Sequence, residues 1–291
     1  MIETRRAKTA APSAPLEILD SSPLVIEAGA RSAQYWKDVW QYRELFYFLA
    51  WRDILVRYKQ TAIGIAWAVL RPLLTAIVLA FVFGRIARLH TPGTPDFLMV
   101  FAGTVPWFFF ANSLSDSSNS LVNSANMISK VYFPRLILPT STVTVNLVDF
   151  AISFGIVLFF MPLYHVLPTW RLLFVPCFML LAFAGALGAG LWLSSLNVQF
   201  RDFKYVVPFI TQFGLYVSPV GFSSDHIHRN RLLYSLNPTV GVIDGFRWSV
   251  LGNALPLYVP GFLISCAMAS LLLLSGYWYF RRTERTFADI I

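Results

Sequence analysis

Residues 171–195 read RLLFVPCFMLLAFAGALGAGLWLSS, and after Arg171 this stretch contains no charged side chain. About 20 such residues, wound as a helix, cross a bilayer. Five further stretches have the same character, at 62–84, 97–119, 136–161, 205–222 and 256–280. Of the 291 residues 56% are hydrophobic and 13% charged, against roughly 25% charged in an ordinary soluble domain. The mean hydropathy is +0.59. A soluble domain lacks the polar surface to cover six such helices, so the chain reads as an all-α membrane protein with six transmembrane helices.

The distribution of Lys and Arg orients these spans. Sixteen cations fall on one side, nine of them before the first span and the rest in the second and fourth loops and the tail, while six fall on the other. The positive-inside rule then puts both termini in the cytoplasm and residues 223–254 outside. The net charge of +8 reflects the same bias and attraction to anionic lipid rather than nucleic-acid binding. Cys177 and Cys266 both fall within spans, which indicates neither a disulfide framework nor a metal site. Residues 1–34 lack the apolar core of a signal peptide and are expected to form a disordered cytoplasmic lead. They are followed by an interfacial segment at 35–60 and the six-helix domain at 61–291.

From Tyr35 to Lys59 aromatic and charged residues alternate so that Trp36, Trp40, Trp51, Ile54 and Tyr58 share one side of a helical wheel. This predicts an amphipathic helix in the cytoplasmic interface, either a plain anchor or a moving element. Arg43 interrupts the apolar face, so the stretch is two helices or one docked partly on protein. In the second span Asn112, Asp116, Asn119, Asn123 and Asn126 recur at helical spacing and form a polar stripe. Such a stripe avoids lipid, and it serves as an interhelical hydrogen-bond ladder, lines a water-filled path, or faces the cytosol where the helix projects beyond the membrane. Gly185, Ala186, Gly188, Ala189 and Gly190 permit close helix packing. Residues 236–248 are apolar but too short and broken to span, which suggests an external re-entrant or interfacial helical pair.

Lys130, Val131, Tyr132, Phe133, Pro134 and Arg135 form a basic, aromatic loop between two spans. Its cations place it in the cytoplasm, where it either docks on a soluble partner or turns tightly with its aromatics in the headgroup layer. No Gly-rich phosphate loop followed by Lys and Ser or Thr occurs, and Asp149 and Asp116 form no proton relay. Asp149 is expected to pair with Arg71 or Asn146. Energy for any transport must come from another subunit. Asp225, His226 and His228 are the only grouping that a membrane enzyme could use, and they show no metal-ligand spacing.

Several segments together resemble ABC-2 type permeases that export polysaccharides. They are Leu49 to Thr61 with Gly64, Trp67, Arg71 and Pro72; Lys130 to Arg135 with Pro139; Asn197 to Lys204; Ser218, Pro219 and Val220; Asn237 and Pro238; and Phe280 to Asp289. The resemblance runs from about Trp36 to the C-terminus. It implies a homodimer in the bacterial inner membrane that moves a lipid-linked polysaccharide such as O-antigen, capsule or teichoic acid. It also implies two copies of a cytoplasmic ABC ATPase, which would hold ATP and Mg, this chain needing no cofactor of its own. Lys130, Tyr132, Phe133, Pro134 and Arg135 would contact that ATPase, as would Arg201, Asp202 and Lys204. Trp36, Trp40, Trp51, Arg52, Arg57 and Lys59 would form a gate where a lipid head group enters. Trp67, Trp107, Phe108, Phe109, Tyr216 and Phe222 would line an aromatic path, joined by the polar Asn112 and Asp116. The competing expectations are an ABC-2 permease for a small lipid or drug, and a membrane enzyme acting on lipid-linked sugars.

Overall fold

A computed structural model describes residues 32–59, 64–227, 230–252 and 255–287. The expected lead falls almost wholly outside these residues, as does His228. Among them, five helices are long and apolar enough to cross a membrane: Ala66–Ile86, Asp96–Asn123, Ile137–Leu163, Trp170–Gln199 and Val259–Thr286. The first is α3 (Gly64–Leu79) continued by a π-helical turn (Ala80–Ile86), and α4 (Asp96–Asn123) and α6 (Ile137–Leu163) are the next two. A single turn, α5 (Ala125–Ile128), stands between them, and α7 (Val175–Gln199) and α11 (Val259–Thr283) complete the long set.

The sixth expected span, 205–222, is shorter than the sequence suggests. α8 covers Phe203–Val217, 15 residues, and at 1.5 Å per residue rises about 22 Å, less than the roughly 30 Å hydrocarbon core. It stops because Pro219 disfavours helical geometry at Ser218, which is extended at φ −85°, ψ 155°. Beyond it come α9 (Arg231–Tyr234) and α10 (Pro238–Leu251); the stretch 236–248, expected to form a helical pair, lies almost wholly in the single helix α10. Asn237 caps α10 by accepting from the Thr239 N–H at 3.1 Å, with Pro238 preset for the first helical turn.

The stretch 35–59 forms two helices, α1 (Ser32–Gln41) and α2 (Arg43–Lys59), split at Tyr42 one residue before Arg43. α2 buries Leu49 and Ala50 and packs on α6, while Tyr47, Phe48 and Trp51 face outward. It is therefore docked on protein as well as aromatic on its free side.

α4 is the central pillar, the most deeply buried of the five long helices. That position explains how Ser113, Ser117, Ser118 and Ser120 come to lie in the bundle interior. Beside it α7 and α11 run parallel, from Phe178 on Phe262 at one end to Trp192 on Tyr279 at the other. Gly188 and Gly276 bring the two backbones together, because a Cβ on either would collide with backbone atoms of the facing helix. Two consecutive long helices that run parallel require the chain between them to return the full length of the bundle. That return falls within the stretch that holds α8, α9 and α10.

Both described ends of the chain meet at one end of the bundle, where Tyr35 donates to Glu284 at 3.1 Å and Trp36 stacks on Tyr277 at 5.6 Å. An apolar cluster of Leu49, Leu121, Phe133, Phe280 and Phe287 closes that end.

Candidate functional site

Arg57, on the last turn of α2, reaches across the bundle to two other helices. Its guanidinium donates to Asp116 of α4 at 2.8 Å, and to Asn146 and Asp149 of α6 at 2.8 and 2.6 Å. Asn146 also donates to Asp116 at 3.0 Å, and the Tyr58 hydroxyl donates to Asp149. Asp149 thus pairs with Arg57 rather than with Arg71, while Asn146 joins the same network. The ion-paired side chains of Arg57, Asp116 and Asp149 are 32%, 36% and 18% exposed. Each pair therefore lies between the roughly 0–1 kcal/mol of an exposed pair and the about 3–5 kcal/mol lost on breaking a buried one.

This cluster separates two cavities. One, of about 740 Å³, lies deeper in the bundle and is lined by Trp67, Arg71, Phe108, Phe109, Asn112 and Phe150 along with the cluster itself. The other, of about 500 Å³, lies toward the end where both described ends of the chain meet and is lined by Arg52, Asp53, Asn119, Asn123, Ser124 and Thr142. Arg57 and Asp116 are the residues that border both. The polar stripe of α4 thus faces cavities along most of its length, and Asn119 also accepts from Asn197 of α7 at 3.1 Å, so it serves as a ladder there too.

The expected path residues divide. Trp67, Phe108, Phe109, Asn112 and Asp116 share the deeper cavity. Trp107 is buried against Gly214 of α8, Tyr216 is exposed on α8, and Phe222 packs on Phe83 at 5.7 Å. Of the expected gate residues, Arg57 and Arg52 border the cavities. Arg52 is tied to its neighbour Asp53 at 2.8 Å, Trp51 stacks on Tyr47, and Trp40 and Lys59 are exposed.

The 130–135 loop also divides. Val131 and Tyr132 are 56% and 58% exposed and Lys130 is exposed with them, whereas Phe133 is 4% exposed and Pro134 is buried. Phe133 is thus an anchor into the bundle, and the outward surface is Lys130 to Tyr132. Arg201, Asp202 and Lys204 border a further cavity of about 760 Å³ shared with Asn119, Asn123 and Asn197.

Two polar centres escaped the sequence reading. Glu284, 8% exposed, gathers the Tyr35 hydroxyl, the Arg135 backbone N–H at 3.2 Å and Arg281 at 2.7 Å, while its carbonyl accepts from the Arg135 guanidinium. Burial and the Glu284 carboxylate push the Tyr35 phenol above its usual range, so it stays a donor at physiological pH. The available signal was the Arg281/Glu284 spacing of three on a helix end. At the far end Arg247, 1% exposed, donates to the carbonyls of Met99, Val220 and Phe222 at 2.9, 2.6 and 2.9 Å. It ties α10 to the start of α4 and to the turn after α8, and Gly103 leaves room for the guanidinium. Arg247 and Asp244, the two charged residues of a short and mostly apolar helix, were the sign. Nearby, Asp225 pairs with Arg231 at 2.8 Å and His226 meets the Ser223 carbonyl, so both are occupied locally.

The ABC-2 type transporter family model matches residues 44–251, most of the chain, and takes in the residues that line the three cavities. The chain belongs to the ABC-2 type transporter family. This ABC-2 protein is 29% identical over 261 residues to the O-antigen export system permease protein RfbA of Myxococcus xanthus, covering 88% of this chain and 98% of that one. It is 27% identical over 248 residues to the protein of the same name from Klebsiella pneumoniae, covering 82% and 92% respectively. It is accordingly a multi-pass membrane subunit of a transporter.

Proposed function

We propose that this chain is the membrane subunit of an O-antigen exporter, which passes a lipid-linked polysaccharide from the cytoplasmic to the outer face of a bacterial inner membrane. The observation that carries this reading is the near full-length match to permeases named for O-antigen export. The cavities agree in character. Aromatic rings offer faces to sugar rings, and Asn and Asp side chains exchange hydrogen bonds with hydroxyl groups that would otherwise lose those of water. A permease for a small lipid would need few of the latter.

Six crossings follow if α8 and the turn after it complete the passage between parallel α7 and α11, and both termini then face the cytoplasm. The cation count supports that orientation. The subunit works as a homodimer with two copies of an ABC ATPase, which hold ATP and Mg. Lys130, Val131 and Tyr132 meet the ATPase together with Arg201, Asp202 and Lys204. The Arg57 cluster is the closed barrier between the cytoplasmic vestibule and the membrane-depth cavity, and Arg52, Arg57 and Lys59 face the incoming head group.

Deleting the gene in its host tests the proposal. Surface O-polysaccharide should vanish while lipid-linked polymer accumulates inside, and wild-type chain should restore export only with the ATPase present. Normal surface polymer in the deletion strain would overturn it.

A further inference from the structure

The Glu284 carboxylate is shared by parts of the chain far apart in sequence. One of its oxygens accepts from the Tyr35 hydroxyl of α1 at 3.1 Å and from the Arg135 backbone N–H at 3.2 Å. The other holds Arg281 of α11 at 2.7 Å, and the Arg281 guanidinium in turn lies 3.4 Å from the centre of the Tyr35 ring. Arg135 also sits over the Phe287 ring, which packs edge-on against Phe280. The loop base, the first helix and the end of the last helix are thus fixed to one buried side chain.

On one side of this joint lies the Lys130 to Tyr132 tip, the part of the loop left exposed for a partner. On the other side, α1 leads through a one-residue break into α2, whose last turn carries Arg57. We infer that Glu284 is a positioning residue that passes movement of the 130–135 loop to α1 and α2, and so to the Arg57 barrier. The inference rests on the exporter reading and deepens it by naming the residue through which the ATPase would act on the barrier.

A second connection exists, since α2 packs on α6 and α6 begins just after the loop. Near the loop that contact is apolar, Leu49 clustering with Ile137 and Leu138, and apolar contact is non-directional, so surfaces can slide on it; its polar bonds, from Arg57 and Tyr58 to Asn146 and Asp149, are those of the barrier itself. Hydrogen bonds from Tyr35 and Arg135 to a single buried oxygen are directional and fix the relative orientation of their elements. Glu284 is too buried for water to replace them cheaply.

The test uses the full chain with its ATPase in membrane vesicles, in a Cys177→Ala, Cys266→Ala background carrying Asn112→Cys as a reporter in the deeper cavity. The parent should show a change of about tenfold in thiol modification at that reporter between the nucleotide-free and the ATP-plus-orthovanadate states, within the usual range of coupling between sites. Tyr35→Phe, which removes one hydroxyl, and Glu284→Ala should both lose that change while the ATPase stays bound and hydrolyses ATP. Glu284→Gln should recover it in large part, because its amide oxygen still accepts from Tyr35 and Arg135. Should Glu284→Ala fail to fold, Tyr35→Phe decides alone. A parental response in both variants, with normal ATPase binding, overturns this inference and leaves the exporter reading standing. A parent that recruits no ATPase overturns the exporter reading and this inference with it.

Discussion

Replacing Arg57 with Lys keeps the charge of the proposed barrier and removes its geometry. The arginine places two nitrogens on Asp116, Asp149 and Asn146 at 2.6–2.8 Å, bridging three helices at once. An ammonium group at the end of a flexible stem can serve one carboxylate well and loses the other contacts. Charge-assisted bonds contribute about 1.5–3 kcal/mol each when buried, and halving this for side chains about one-third exposed leaves roughly 2 kcal/mol for two lost bonds. At 1.4 kcal/mol per factor of ten, that shifts the balance of closed and open barrier by about 30-fold. The reporter is again Asn112→Cys without Cys177 and Cys266, modified from the cytoplasmic side by an impermeant thiol reagent in inverted vesicles. Arg57→Lys should speed the reaction by an order of magnitude at unchanged protein level. Arg52→Lys is the control, because Arg52 pairs with Asp53 on its own helix and should leave the rate unaltered. A rate in Arg57→Lys within twofold of the parent would falsify the barrier.

Tyr132→Ala and Phe133→Ala, adjacent in sequence, should behave oppositely. The first, at an exposed residue, should weaken co-purification of the ATPase at normal chain stability, whereas the second should lower thermal stability by about 3–5 kcal/mol as an emptied core site. Arg247→Lys leaves at least one buried carbonyl unpaired at about 1–3 kcal/mol each and should lower the melting temperature in detergent, while an unchanged value would mean that water replaces the guanidinium. In intact spheroplasts, cysteine at exposed Pro92 should react with an impermeant reagent and cysteine at Lys130 should not; the reverse pattern would invert the proposed topology.

Transmembrane character was legible because it depends on local composition. Five of the six expected spans correspond to helices of crossing length, and the sixth is cut short at a proline signal, Ser218–Pro219, that stands in the chain. The polar stripe of α4 was readable from its spacing, since residues three and four apart share a face whatever surrounds them. Which partners that face meets was not. Asp149 has Asn146 one turn away in sequence, yet its cation comes from Arg57, 92 residues earlier.

The sequence by itself determined the membrane class and the helical periods, and its cations supplied the argument for orientation. Helix length, face and apolarity are properties of short windows, so no knowledge of distant residues was needed. Only the tertiary structure decided that Phe133 points inward and Tyr132 outward, although both are aromatic residues of the same loop. Only it brought Glu284 against Tyr35 across 249 positions. Hydrogen bonds and ion pairs depend on separations of about 3 Å, and such separations between distant residues are set by how the helices pack, which no local pattern encodes.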